Sequence, residues 1–209
     1  MKFVSLISSG IDSPVATYLL SKKADEIILL HSDNRPFTDD KEIENFIKIT
    51  KRLKEISNCK IKAYVVSHGK TLKEFKINCN NKFTCVFCKR MLLRYAEMIL
   101  NNENADAIIM GDSLGQVASQ TLQNINVISS SINAPILRPL IGFDKEEVVN
   151  IAKEIGTYDL SILPSKECEA VPNKPSTKAD IQKILEEEKK LDLKNLVDDA
   201  IQNLIKIKL

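Results

Sequence analysis

The chain has 209 residues, room for one domain of ordinary size, with 44 % hydrophobic and 28 % charged residues. That balance excludes a disordered or collagen-like chain. No apolar run reaches the roughly 18 residues of a membrane span, and MKFVSLISSGIDS lacks signal-peptide anatomy, so a cytoplasmic protein with no membrane partner is expected. The formal charge is only +2, yet Lys41 to Arg94 carries 14 Lys/Arg against 4 Asp/Glu. Such a basic half suits a polyanion such as RNA, and a solvated helical face equally well.

In chain order, Lys2 to Ile7 reads as a strand and Ser13 to Ser21 as a helix. Glu26 to His31 is a second strand, and Lys41 to Ile56 is a helix with Ile43, Phe46, Ile47, Leu53 and Ile56 near 3.6-residue spacing. Ile61 to Val66 is a third strand, Thr84 to Leu100 a helix, Ala105 to Met110 a fourth strand, Ala134 to Leu137 a fifth, and Lys145 to Ile155 a helix. This alternation implies an α/β fold, an open parallel sheet with helices on both faces. Pro164, Pro172 and Pro175 then mark an irregular connection. Two helices follow, about Thr177 to Lys189 and Leu193 to Ile205, the second with one apolar stripe. The expected organisation is an α/β domain over 1–175 and a helical extension over 176–209 packed on it.

Ser8-Ser9-Gly10-Ile11-Asp12-Ser13-Pro14 lies between the first strand and first helix. Small residues allow a tight turn, Ser13 suits an N-cap and Pro14 the first helical position. Free N–H groups and the helix dipole at such a terminus attract phosphate, and the serine hydroxyls add donors. A serine-rich turn with a capped helix would look similar. The GxxxxGK[ST] loop is absent. The five cysteines include Cys85 and Cys88 as CxxC near a helix start, with Lys89 and Arg90 beside them. Both the helix terminus and these charges would favour thiolate; small buried thiols are the alternative. Arg90 and Arg94, one turn apart, could hold RNA phosphates or remain solvated.

The order strand–SxGxDS–helix resembles the PP-loop SGGxDS of ATP pyrophosphatases, with Ser9 where the first of two glycines is usual. Further blocks resemble the tRNA 4-thiouridine synthetase (ThiI) family. They are Ser13-Pro14-Val15-Ala16, the FTCVFCKRM run from Phe83 to Met91, and GDSLGQVASQTL from Gly111 to Leu122. ILRPLIGFDKEE from Ile136 to Glu147, then Ile155-Gly156-Thr157-Tyr158 and Cys168, complete the order. The resemblance implies an adenine nucleotide alpha hydrolase-like fold that uses ATP and Mg²⁺. It implies ATP contacts at Ser8, Ser9, Gly10, Ile11, Asp12, Ser13, His31, Ser32, Gly111 and Gln120, and catalytic roles for Asp12, Lys145, Cys85, Cys88 and Cys168. In archaeal members, three cysteines corresponding to Cys85, Cys88 and Cys168 hold an iron–sulfur cluster with one open iron; a persulfide or disulfide relay is the competing chemistry.

Full-length members also carry a ferredoxin-like and THUMP region before the PP-loop domain. The expectation is a stand-alone form, using a separate THUMP-type RNA-binding protein, its own basic face or a different substrate, with a sulfide or persulfide donor and a homodimer as further partners. The expected function is ATP-dependent thiolation of a tRNA uridine. The alternatives are a PP-loop enzyme acting on another nucleobase or small metabolite, and a non-catalytic iron–sulfur or nucleotide-binding subunit.

Overall fold

A computed structural model describes residues 1–209. The elements run β1 (Lys2–Leu6), α1 (Asp12–Ser21), β2 (Glu26–Asp33), α2 (Asp40–Ile56), β3 (Lys60–Ser67), α3 (Gly69–Asn78), α4 (Thr84–Glu103) and β4 (Ala107–Ile109). They continue α5 (Leu122–Ser129), β5 (Ile136–Leu137), α6 (Lys145–Glu154), α7 (Tyr158–Ser161), α8 (Ile181–Glu188), α9 (Leu193–Gln202) and β6 (Ile205–Lys206). Six strands form one sheet in the order β5-β4-β1-β2-β3-β6, parallel throughout except for β6.

The strands are apolar on both faces because both are covered. Val4, Ile28, Leu30 and Val66 face a core shared with Phe87 and Met91 of α4, Val127 of α5, Ile184 of α8, and Val197 and Ala200 of α9. Phe3, Ile27, Leu29 and Val65, one residue out of phase, face Val15 of α1, Phe46 and Ile49 of α2, and Val148 of α6. The chain turns from β1 through α1 to β2 on one side, and returns from β3 through α3 and α4 to β4 on the other. Strand order therefore reverses at β1/β4, which opens a crevice at the carboxyl ends of the strands.

The elements differ most from the sequence expectation at the two C-terminal helices and at α3. The last helix stops at Gln202; Ile205 and Lys206 pair antiparallel with Val65 and Tyr64, and the Ile207 N–H donates to the Ala63 carbonyl at 2.9 Å. Ile205-Lys206-Ile207-Lys208 alternates with period two, a strand pattern that overrides the helical stripe before it. The preceding helix starts at Ile181, where Asp180 caps it by accepting the Lys183 N–H at 3.1 Å. The helix α3 lay outside the expected elements: only Leu72 and Phe75 are large buried apolar groups on it, too few to stand out. It begins at Gly69, where a Cβ would lie 1.7 Å from the Arg35 carbonyl oxygen.

Candidate active site

The crevice is a cleft of about 250 Å³ lined by Ser8, Gly10, Ile11, Asp12 and Ser13 on one wall and by Lys89, Leu92, Gly111, Asp112 and Gln120 on the other. Leu6, Leu30, Ser32 and Met110 also line it. The loop after β1 folds on itself: the Ser8 N–H donates to Ser13 Oγ at 2.9 Å, and the two hydroxyls lie 3.1 Å apart. Ser13 is thus not the expected N-cap. The helix starts one residue earlier, Ser13 reaches back to brace the loop, and no side chain caps the terminus. That leaves first-turn N–H groups unclaimed by side chains beside the cleft, as an anion requires. Gly111, after β4, closes against this loop: a Cβ there would meet the Ser13 Cα at 2.7 Å and its nitrogen at 2.8 Å.

A charge pair and a charge triad flank the cleft. Lys145, in the first turn of α6, reaches Asp12 at 2.9 Å, with side-chain exposures of 54 % and 25 %. Asp144 caps α6 in a reciprocal capping box with Glu147, which fixes the direction of Lys145. On the far wall the buried Asp112 accepts from Lys89 Nζ at 2.8 Å and Arg138 Nε at 3.0 Å. Burial alone would push the Asp112 carboxyl up; Lys89 and Arg138 outweigh it and hold it below the usual carboxylate range. Two cations share one carboxylate, so that wall keeps a surplus positive charge. Gln120 and Ser113 are buried with Oε1 and Oγ lacking partners, a costly state in a closed core but a useful one beside a ligand.

Cys85 and Cys88 lie in the first turns of α4, and Cys168 in the irregular stretch after α7. Burial pushes all three thiols up, and Cys85 and Cys88 each feel Cys168 as a further upward influence. Lys89 opposes the rise at Cys85 and Cys88. At Cys168, N–H groups of Ala170 and Val171 and the charge of Lys76 do so. The expected tendency toward thiolate is therefore corrected, because desolvation outweighs the helix terminus. The donor type of this set suits iron–sulfur ligation. As arranged, however, no three His, Cys, Asp or Glu side chains are placed to hold a metal ion, so the expected Cys85/Cys88/Cys168 ligand set is not a preformed cage.

Three other expectations change. Arg90 is 1 % exposed, donating to Glu188 at 2.8 and 2.9 Å and to Ser130 Oγ at 3.1 Å. Arg94 pairs with the same carboxylate at 2.9 and 2.8 Å. Their charges are spent inside the fold, tying α4 to α8, so the RNA-phosphate role is corrected. His31 lies within β2 with its side chain on the face opposite the cleft, as its cleft-lining neighbours Leu30 and Ser32 require. It stacks on Phe46 at 4.4 Å and shares a hydrogen bond of 3.0 Å with the Ile7 carbonyl through Nδ1. The ring thus faces away from the cleft, and the base contact that the resemblance implies here is one of backbone groups. Ser9 lies outside the cleft lining and donates to Glu42 Oε2 at 2.8 Å, so this hydroxyl's only proton is already given.

The sequence matches the model of the family described as "Thiamine biosynthesis protein (ThiI)" over residues 1–193. The chain belongs to the ThiI family. A probable tRNA sulfurtransferase of Methanothermobacter thermautotrophicus is 44 % identical over 202 residues, 96 % of this chain and 52 % of the relative. One of Methanobrevibacter smithii is 44 % identical over 204 residues, 97 % of this chain and 54 % of the relative. The chain thus spans about half the length of these ThiI-family relatives. Among solved structures, a 4-thiouridine synthetase in complex with RNA and bound ATP superposes with a TM-score of 0.93 at 35 % identity, covering 99 % of this chain and 55 % of that one. An NMN synthetase from Francisella tularensis, at 18 % identity and a TM-score of 0.57, shares the fold. Lys89, Arg138 and Glu42 escaped the sequence reading as site residues; Lys89 adjoins the CxxC and Arg138 lies in a quoted block, but nothing local marks Glu42.

Proposed function

We propose that the chain is the ATP-using, sulfur-transferring part of a tRNA uridine thiolation enzyme. The observation that carries this is the juxtaposition, at one strand-order reversal, of an uncapped helix N-terminus, the Lys145–Asp12 pair and the Lys89–Asp112–Arg138 wall. The 4-thiouridine synthetase that superposes on 99 % of the chain has RNA and ATP bound, which supports the same ligands here.

ATP enters with its magnesium, its phosphates against Gly10 to Ser13. The uridine O4 attacks the α-phosphorus, the O4–P bond forms as the bond to pyrophosphate breaks, and the N3 proton passes to solvent water. Lys145 offsets the charge building on the α-phosphoryl oxygens. A hydrosulfide equivalent from a separate donor then adds at C4, AMP leaves with O4, and the proton on sulfur passes to N3 to give 4-thiouridine. The free Gln120 oxygen can accept from a base N–H. Cys85, Cys88 and Cys168 handle the sulfur. An iron–sulfur cluster on them would supply an open iron for sulfide, and would require their side chains to converge further than they do.

Anaerobic reaction of the chain with tRNA, ATP and sulfide, followed by nucleoside mass analysis, is expected to show 4-thiouridine with stoichiometric AMP and pyrophosphate. Pyrophosphate release without RNA dependence, or none with any RNA, refutes the reading. Iron and acid-labile sulfide contents of Cys85→Ser, Cys88→Ser and Cys168→Ser proteins separate cluster from persulfide chemistry.

A further inference from the structure

The stretch carrying Cys168 has almost no regular structure after Ser161, yet it is tied to the nucleotide loop and its neighbours at several points. Ser165 Oγ donates to Glu42 Oε2 at 3.3 Å, and Ser9 of the loop donates to the same oxygen at 2.8 Å. The Asn45 side-chain amide, one turn further along α2, donates to the Leu163 carbonyl at 3.4 Å. The Glu169 N–H donates to the Phe37 carbonyl at 2.9 Å. One carboxylate oxygen thus joins the loop that would grip ATP to the segment that brings a thiol to it.

Glu42 lies in the first turn of α2, where the helix dipole favours an anion. A negative charge beside a phosphate loop works against nucleotide binding. The helix terminus offsets that cost only in part, and the two serine contacts give the carboxylate a geometric role. Ser9 stands where the resembling loops usually have glycine, and its hydroxyl makes the link.

We propose that Glu42 is a positioning residue that holds the Cys168 segment in register with the nucleotide loop, so that the sulfur-handling thiol meets the activated base. The proposal rests on the ATP and thiol roles argued above. Both serines are donors and both use one oxygen, so an amide oxygen can replace the carboxylate, whereas a methyl group cannot.

Three variants of the full 209-residue chain test it: Glu42→Gln, Glu42→Ala and Ser165→Ala, the last removing only the Cys168 end of the link. Amide hydrogen exchange over residues 162–169 is expected to quicken about tenfold in Glu42→Ala and Ser165→Ala and to stay within about twofold of the parent in Glu42→Gln, the scale of a lost hydrogen bond to a charged group. The yield of thiolated RNA per pyrophosphate released is expected to fall about tenfold in the same two variants and to be kept in Glu42→Gln. Unchanged exchange in Glu42→Ala, equal behaviour of Glu42→Ala and Glu42→Gln, or a loosened segment with an undiminished yield overturns the proposal. A parent chain that releases no pyrophosphate overturns the function proposed above instead; the exchange rates still decide whether Glu42 holds the segment.

Discussion

At the scale of residues, Lys145 and His68 make opposite points about where a charge can sit. A lysine in the first turn of a helix opposes the dipole, and Lys145 is half exposed, so packing does not keep it there. Its ammonium faces Asp12 across the cleft mouth. Lys145→Met is expected to cut RNA-dependent pyrophosphate release about a hundredfold, the typical loss of one transition-state charge partner, with the thermal midpoint nearly unmoved. His68 is buried without any opposing charge, and burial lowers its pKa to about 3; burial also lowers that of His31. A histidine depressed in the native state is neutral there while the unfolded chain takes up a proton. The stability it confers is therefore full above the unfolded value of 6.5 and declines as pH falls toward the native one. His68 should cost about 1.4 kcal/mol per pH unit in that window, and His31 acts in the same direction. Urea titrations between pH 7 and 5 should show this slope, and His68→Gln should flatten it by one histidine's share. The carboxyls of Asp112 and Glu188, held down by their cationic partners, act only lower, below the ordinary carboxylate range. Lys145 was legible because it sits in an ordered motif. The burial of both histidines was not: a strand leaves open which face His31 takes, and His68 sits at the junction of β3 with α3, a helix the periodicity does not mark.

At the scale of elements, α8 is tied to α4 by apolar packing through Ile184 and by one buried carboxylate. Glu188 accepts from Arg90 and Arg94 together while burying its own side chain to 5 % exposure. Burial would push this carboxyl up, and the two guanidinium groups hold it down. Removing it strands the guanidinium of Arg90 in a core with Val127 and Met91 nearby. Glu188→Ala is expected to destabilise the chain by about 3–5 kcal/mol, and Glu188→Gln by less, read from urea midpoints. Helices and strands with a clear period were legible to within a few residues. Arg90 and Arg94 read as an external basic pair because the carboxylate they share, Glu188, lies more than ninety residues away in sequence. α3 was missed for a related reason: its ten residues bury two large side chains and are positioned by contact with the 34–35 backbone.

At the scale of the whole molecule, the fold and family were legible because blocks of motif recur in a fixed order along most of the chain. The site was only partly so, since Lys89, Arg138 and Glu42 acquire their meaning from partners in loops distant in sequence. The basic half is also redistributed by folding. Arg90 and Arg94 turn inward, Lys62 joins Glu26 and Glu103, and Lys70 meets Asp199, while Lys41, Lys48, Lys51 and Lys54 stay exposed along α2. What remains for a polyanion is therefore narrower than the composition suggests. The antiparallel β6 has a consequence of another kind. Without it, the eight residues of β3 would present an unpaired ladder to any other copy of the chain, and parallel sheets could stack rim to rim into polymers. Two residues of β6 and the Ile207 bond occupy the middle of that ladder, with lysines alternating beside them. The opposite rim ends in the two-residue β5, too short to template growth. The sheet is thus blunted on both sides, and its open chemistry is confined to the carboxyl ends of its strands.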